Sequence, residues 1–175
     1  RFSIRVDRQL YSAKSKFQRI DIFEAEEFGR FLTLDGLMML TEKDEFIYHD
    51  MIVHVPMATN PGIKKVLVIG AGDGGTVREL TRYGTIEKID MVEIDKMVVD
   101  ACLEYMPQTS SKLSDPRVTI YYEDGLKFVR DKVGVWGAMA LFRDPGDAAF
   151  STNEIDYRAT LADAFARGIR LGTLA

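Results

Sequence analysis

Up to Leu40, apolar and polar residues alternate in short runs, as in Phe2-Ser3-Ile4-Arg5-Val6-Asp7 and Arg19-Ile20-Asp21-Ile22-Phe23-Glu24. A period of two interrupted by turn formers predicts antiparallel strands, with turns at Phe28-Gly29-Arg30 and Asp35-Gly36. Between Thr41 and Thr59 the period lengthens. Phe46, Ile47, Met51, Val53 and Pro56 fit a helix that ends before Asn60-Pro61-Gly62, the expected domain boundary.

Beyond that boundary the grammar becomes strand, glycine turn, helix. Lys65-Val66-Leu67-Val68-Ile69-Gly70 is a nearly continuous aliphatic run, as a parallel strand buried on both faces requires. A helix from Thr76 to Tyr83 follows, then a strand from Lys88 to Glu93 and a helix from Asp95 to Tyr105. Val118 to Tyr122 forms the third strand and leads through Glu123-Asp124-Gly125 into a helix from Leu126 to Arg130. Val135 to Phe142 is expected to be a fourth strand. Ser151-Thr152-Asn153-Glu154 has capping-box spacing ahead of a helix from Ile155 to Arg167, with a short Ile169-Arg170-Leu171 strand after Gly168. The alternation predicts a doubly wound α/β sheet.

Composition narrows the classes of function. With 46% hydrophobic and 29% charged residues, the 175-residue chain can bury a core and is not a disordered polymer. A net charge of -4 without a basic block argues against nucleic acid and for small cations. The longest apolar run, Val135 to Phe142, is far short of the roughly 20 residues that span a bilayer, and no signal peptide opens the chain. One cysteine, Cys102, cannot form an internal disulfide and reads as a small core residue; a cytoplasmic location is expected. The chain opens on Arg1 instead of Met, so an N-terminal piece is expected to precede it.

The chemistry gathers at strand ends. Gly70-Ala71-Gly72-Asp73-Gly74-Gly75 supplies a G-x-G-x-x-G turn between strand and helix, with Glu93 ending the next strand about 20 residues on. Such glycines let backbone approach a ligand, and the carboxylate can accept from both hydroxyls of a ribose, so an adenosine-type ligand is expected. A carboxylate at Asp73 would repel a pyrophosphate and attract a cation, which favours a sulfonium nucleoside over a dinucleotide. Asp73 also suits the role of N-cap for the following helix, and the two roles are compatible. Asp124-Gly125, a common turn pair, gains meaning from its register with Glu93 and Asp73 on successive strand tips. His49 and His54 are the two histidines, too few for a zinc or iron cluster, so no metal is expected.

Three stretches together closely resemble the spermidine synthases, the bacterial polyamine aminopropyltransferases. They are Phe31-Leu32-Thr33-Leu34-Asp35-Gly36, the segment Thr41 to His54 that contains Tyr48-His49-Asp50, and Val66 to Glu79. With Val92-Glu93-Ile94-Asp95 and Tyr122-Glu123-Asp124-Gly125, the likeness runs from Ser3 to Arg130. Ala71 stands where the family commonly has a third glycine and should be tolerated. The resemblance implies a Rossmann-like sheet of the S-adenosylmethionine-methyltransferase type, C-terminally incomplete, preceded by a small antiparallel β domain. The expected divisions are residues 1–45, a connecting helix at 46–62, and a catalytic domain at 63–175. It further implies aminopropyl transfer from decarboxylated S-adenosylmethionine, a co-substrate, to putrescine, giving spermidine and methylthioadenosine without a cofactor. A homodimer or homotetramer is implied as well.

By position, Gln18, Gly70, Gly72, Glu93, Asp124 and Gly125 look like nucleoside contacts and Asp73 like the holder of the aminopropyl ammonium. Tyr48, His49, Asp73 and Asp144 would face the diamine. The attacking amine must be neutral, and with a pKa near 10.4 its deprotonation at pH 7 costs about 4 to 5 kcal/mol. The family's base is an Asp opening the loop after the fourth strand. Here Asp144-Pro145 matches that loop's end, while its first Asp falls on Leu141, so no base is assigned. The chain is expected to be part of a longer enzyme. Two alternatives remain: an S-adenosylmethionine-dependent methyltransferase, and a non-catalytic nucleoside or polyamine binder.

Overall fold

A computed structural model of the protein describes residues 3–131 and 138–141. Four antiparallel strands come first: β1 (Arg8–Lys14), β2 (Arg19–Ala25), β3 (Gly29–Leu34) and β4 (Leu37–Thr41), in the spatial order β1-β2-β3-β4. The alternation before Asp7 does not become a strand, and the ladder opens instead at Arg8 opposite Glu24. The reason is the partner: β2 ends at Ala25, which faces Gly29 across the next turn, so beyond the bond from the Asp7 amide to the Glu24 carbonyl residues 3–6 have no strand left to pair with. Asp35 and Gly36 both take positive φ, 51° and 81°, as the tight turn between β3 and β4 requires.

Helix α1 (Glu45–Thr59) follows and stops at Asn60. Its buried stripe is Glu45, His49, Val53 and Met57, each four residues apart, while Phe46, Ile47 and Met51 are exposed by half or more. The apolar residues that signalled the helix thus lie mostly off its buried face. Two polar residues head that face instead, next to the loop that carries the glycines.

The parallel sheet is built from β5 (Lys65–Ile69), β6 (Lys88–Val92), β7 (Val118–Tyr121) and β8 (Ala138–Leu141), in the order β7-β6-β5-β8. Helices α2 (Gly75–Thr81), α3 (Lys96–Tyr105), the short α4 (Pro107–Ser110) and α5 (Gly125–Asp131) connect and cover it. Val66, Val68, Ile89 and Met91 pack under α1 and α2 on one face. Leu67 and Val92 pack on Phe128 and Val129 of α5 on the other. Both faces are therefore buried, which explains the unbroken aliphatic strand. The chain winds outward from β5 to β7 and returns to β8 on the opposite side of β5. That reversal opens a crevice at the carboxyl ends of the strands, the place where ligands bind in sheets of this kind.

The two sheets are joined through α3. Ile20, Ile22 and Leu32 of the antiparallel sheet pack with Val98, Ala101, Cys102 and Met106, so Cys102 is a core residue, and burial holds its thiol well above the ordinary value. No helix among the described residues is long and apolar enough to cross a membrane. The expected 155–167 helix and 169–171 strand lie outside the described residues.

Candidate functional site

The carboxyl ends of β5 and β6 meet β3, β4 and α1 around a cavity of about 870 Å³. Leu32, Leu34, Met38 and Leu40 give it an apolar wall; Gln18, Tyr48, His49, Asp73 and Glu93 supply polar groups. Gly70, Ala71 and Gly74 take positive φ of 81°, 69° and 86°, which folds the loop back between β5 and α2. Gly72 lies so close to α3 that an added Cβ would stand 2.9 Å from Val98 Cγ1 and 3.1 Å from Glu93 Oε2.

Glu93 braces this loop. Its Oε2 accepts from the Gly72 amide at 3.0 Å and its Oε1 from the Asp95 amide at 2.9 Å. Burial pushes its carboxyl above the usual value, and the charges of Asp95 and Asp73 push the same way, against those two amide bonds. A carboxylate has about four acceptor positions, so two remain for hydroxyl groups of a ligand.

Asp73 Oδ1 accepts from the Gly75 amide at 2.8 Å and lies 3.3 Å from His49 Nε2. The N-cap residue of α2 is Gly74, so Asp73 caps the helix from one position earlier. Burial would raise its carboxyl, yet the His49 contact and the Gly75 amide outweigh it and hold Asp73 below the ordinary value. His49 is 2% exposed, its ring lying over Gly75 so closely that a Cβ there would overlap it. Its Nδ1 sits 2.5 Å from Glu45 Oε2. Burial alone would lower its proton affinity; Asp73 and Glu45 more than reverse that and raise it. Tyr48 is half exposed, and burial together with the Asp73 charge pushes its hydroxyl up to about 12.

The sequence reading did not include the groups behind these. Arg78 grips Glu45 with two bonds of 2.8 and 3.0 Å. Asp95, 2% exposed, accepts from Ser15 Oγ at 2.7 Å and Gln18 Nε2 at 3.2 Å, and so fixes Gln18 at the cavity edge. The four-residue spacing of Glu45 and His49 was a local signal; the long-range partners left none.

Asp124 and Gly125 stand apart from the cavity lining. Asp124 is exposed and accepts from the Lys127 amide at 2.9 Å at the start of α5. Gly125 packs on Ile69, where a Cβ would overlap the side chain. Leu141 pairs with Ile69 at the end of β8, beside the glycine loop, and Asp144 lies outside the described residues. Asp50, His54 and Glu79 bring possible metal-ligating atoms within 4.8 Å of one another. Glu79 already binds Arg78 and Arg82, at 2.8 and 2.5 Å, and His54 Nδ1 meets the Tyr83 hydroxyl at 2.6 Å, so this cluster reads as an ion-pair network.

Comparison with known proteins assigns these elements to families. The spermine/spermidine synthase domain matches residues 45–134, and the spermidine synthase tetramerisation domain matches residues 1–42. A polyamine aminopropyltransferase of Alkaliphilus oremlandii is 81% identical over 132 residues, 75% of this chain and 46% of its own. One from Clostridioides difficile is 70% identical over 130 residues, 74% of this chain and 46% of its own. The chain thus spans about half the length of the curated relatives it matches. Among solved structures, spermidine synthase from Thermotoga maritima superposes with a TM-score of 0.76 at 44% identity, covering 78% of this chain and 48% of that one. A spermidine synthase in complex with the transition-state analogue AdoDATO gives 0.80 at 41% identity, covering 91% and 53%.

Proposed function

The chain belongs to the spermine/spermidine synthase family, and from that premise we propose that it is the substrate-binding part of an aminopropyltransferase that uses decarboxylated S-adenosylmethionine and putrescine. The observation that carries the reading is Asp73. It is an ionised carboxylate held at the crevice mouth between a helix N-terminus and a nucleoside-sized cavity. An anionic dinucleotide would be repelled there and an ammonium attracted. Glu93 would take the ribose hydroxyls, the apolar wall of β3 and β4 would face the nucleoside, and Gln18 would close the edge. Tyr48 and His49 line the side from which a diamine would approach. Asp124, Gly125 and Asp144 complete the assignment by family position.

These residues would bind and orient both cations so that nitrogen and methylene lie in line, which alone supplies much of the rate. They also concentrate cationic substrates in a negatively charged cleft. The amine must lose a proton, and Leu141 stands at the strand tip where the family carries its base. Nucleoside binding without transfer is therefore the second reading for this chain. A homo-oligomer formed through the antiparallel sheet and a cytosolic location complete the proposal; the tetramerisation-domain match supports the first.

The test is a chimera of residues 1–131 joined to the C-terminal half of the Alkaliphilus oremlandii relative. With decarboxylated S-adenosylmethionine and putrescine it is expected to release methylthioadenosine and spermidine. Formation of S-adenosylhomocysteine and a methylated acceptor from S-adenosylmethionine instead would favour a methyltransferase. Methylthioadenosine binding by the 175-residue chain itself, without turnover of decarboxylated S-adenosylmethionine and putrescine, would favour the second reading.

A further inference from the structure

The imidazole of His49 lies between two carboxylates, with Glu45 Oε2 at 2.5 Å from Nδ1 and Asp73 Oδ1 at 3.3 Å from Nε2. A neutral ring has one N–H and one bare nitrogen, so in that form a lone pair would face one of the carboxylates. The doubly protonated ring satisfies both. Glu45 is 1% exposed at its side chain, and the Arg78 guanidinium grips it with a two-bond fork, itself steadied by Glu79 and by the Gln108 carbonyl. The charges alternate along one line: Asp73, His49, Glu45, Arg78. Tyr48 also stands against the His49 ring, at 5.3 Å between centroids, and Gly75 of α2 closes another face.

We propose that Glu45 is a positioning residue for ligand binding: gripped by Arg78, it keeps His49 doubly protonated and its Nε2–H aimed at Asp73, which fixes the Asp73 carboxylate for a cationic ligand. Asp73 Oδ1 takes the contacts of both His49 Nε2 and the Gly75 amide, so these two groups together hold the carboxylate. Without Glu45, Nδ1 loses its carboxylate partner and its hold on the second proton; a neutral ring can still present Nε2–H to Asp73, but as an uncharged donor and with its plane no longer fixed from the Nδ1 side. Glu45 does not touch the ligand; it acts through His49. The inference rests on the proposed function only in what Asp73 binds, since the protonation of His49 is a property of the unliganded protein.

The experiment is ¹⁵N NMR titration of the histidine rings, read beside calorimetry with decarboxylated S-adenosylmethionine and methylthioadenosine. In the wild type, His49 is expected to stay doubly protonated past the ordinary imidazole midpoint of about 6.5. In Glu45→Gln the His49 midpoint is expected to fall below that of the wild type. Affinity for the ammonium-bearing nucleoside falls about tenfold or more, while methylthioadenosine, which lacks the ammonium, changes less than about twofold. Arg78→Lys, which keeps a cation but loses the fork, is expected to give an intermediate midpoint and serves if Glu45→Gln does not fold. A wild-type His49 titrating at or below the ordinary value overturns the proposal without any variant, as does an equal loss of both nucleosides. If neither nucleoside binds the wild type but His49 titrates as expected, the positioning claim stands and the functional reading fails.

Discussion

Gly75 places the His49 ring against the first turn of α2, and no side chain fits between them. Gly75→Ala is expected to displace the ring and weaken a cationic nucleoside by about 10- to 100-fold, the range of one charge-assisted hydrogen bond, with little effect on methylthioadenosine. Paired calorimetric titrations check it. Ala71 holds φ at 69° with a Cβ present, in a region that costs non-glycine residues about 1 to 2 kcal/mol. Ala71→Gly should therefore raise stability to urea by about 1 kcal/mol, after the extra freedom glycine gives the unfolded chain. Alanine is accommodated there, as expected, and φ shows what the methyl costs. Asp73 and Glu93 were legible in the sequence because a strand, a glycine turn and a helix fix where a strand-tip residue points. Glu45 and Arg78 were not, since they lie 33 positions apart and meet only once α1 packs on α2.

Strands β5, β6 and β7 were readable from their aliphatic runs to within a residue, and β8 (Ala138–Leu141) lies inside the expected Val135 to Phe142 run. The start of the antiparallel sheet was misplaced, since alternation assigns faces but not partners, and β1 needs β2 to pair with. Helix α1 was readable in extent but not in orientation: its buried stripe leads with Glu45 and His49, and these are the residues that build the site. Arg117, just before β7, binds the carbonyls of Thr81, Tyr83 and Ile86 behind α2 and pairs with Asp115. Arg117→Met is expected to cost about 2 to 3 kcal/mol in urea unfolding, as three carbonyls lose a charged donor. Arg117 and its hydrogen bonds hold the Asp115 carboxyl down at about 2, from an ordinary 3.8. That stabilisation is complete above the ordinary value and is lost as the pH falls through about 2; in Arg117→Met this acid-linked loss should shrink to the part that the backbone amide at 117 retains.

Across the whole molecule, the net charge of -4 is distributed with purpose. Asp73 and Glu93 stand at one crevice, while Glu45 and Glu79 are neutralised by arginines behind it. His49 binds its proton more tightly in the fold than a free imidazole does, so its contribution to stability is complete below about pH 6.5 and is lost as the pH rises through its raised folded-state value. Glu93, pushed up chiefly by burial, acts in the same direction from lower pH. Urea unfolding followed from pH 6 to 9 is expected to show stability falling with pH, with a shallower fall in Glu45→Gln.

The central claim is that Asp73 selects a nucleoside carrying a cation. It is tested most directly by calorimetry on wild type and Asp73→Asn with decarboxylated S-adenosylmethionine and methylthioadenosine in parallel. The wild type is predicted to bind both, and Asp73→Asn to keep methylthioadenosine within about twofold while losing about tenfold or more for the cationic nucleoside. Equal affinity of Asp73→Asn and wild type for the cationic nucleoside, or a wild-type preference for an anionic dinucleotide, would contradict it.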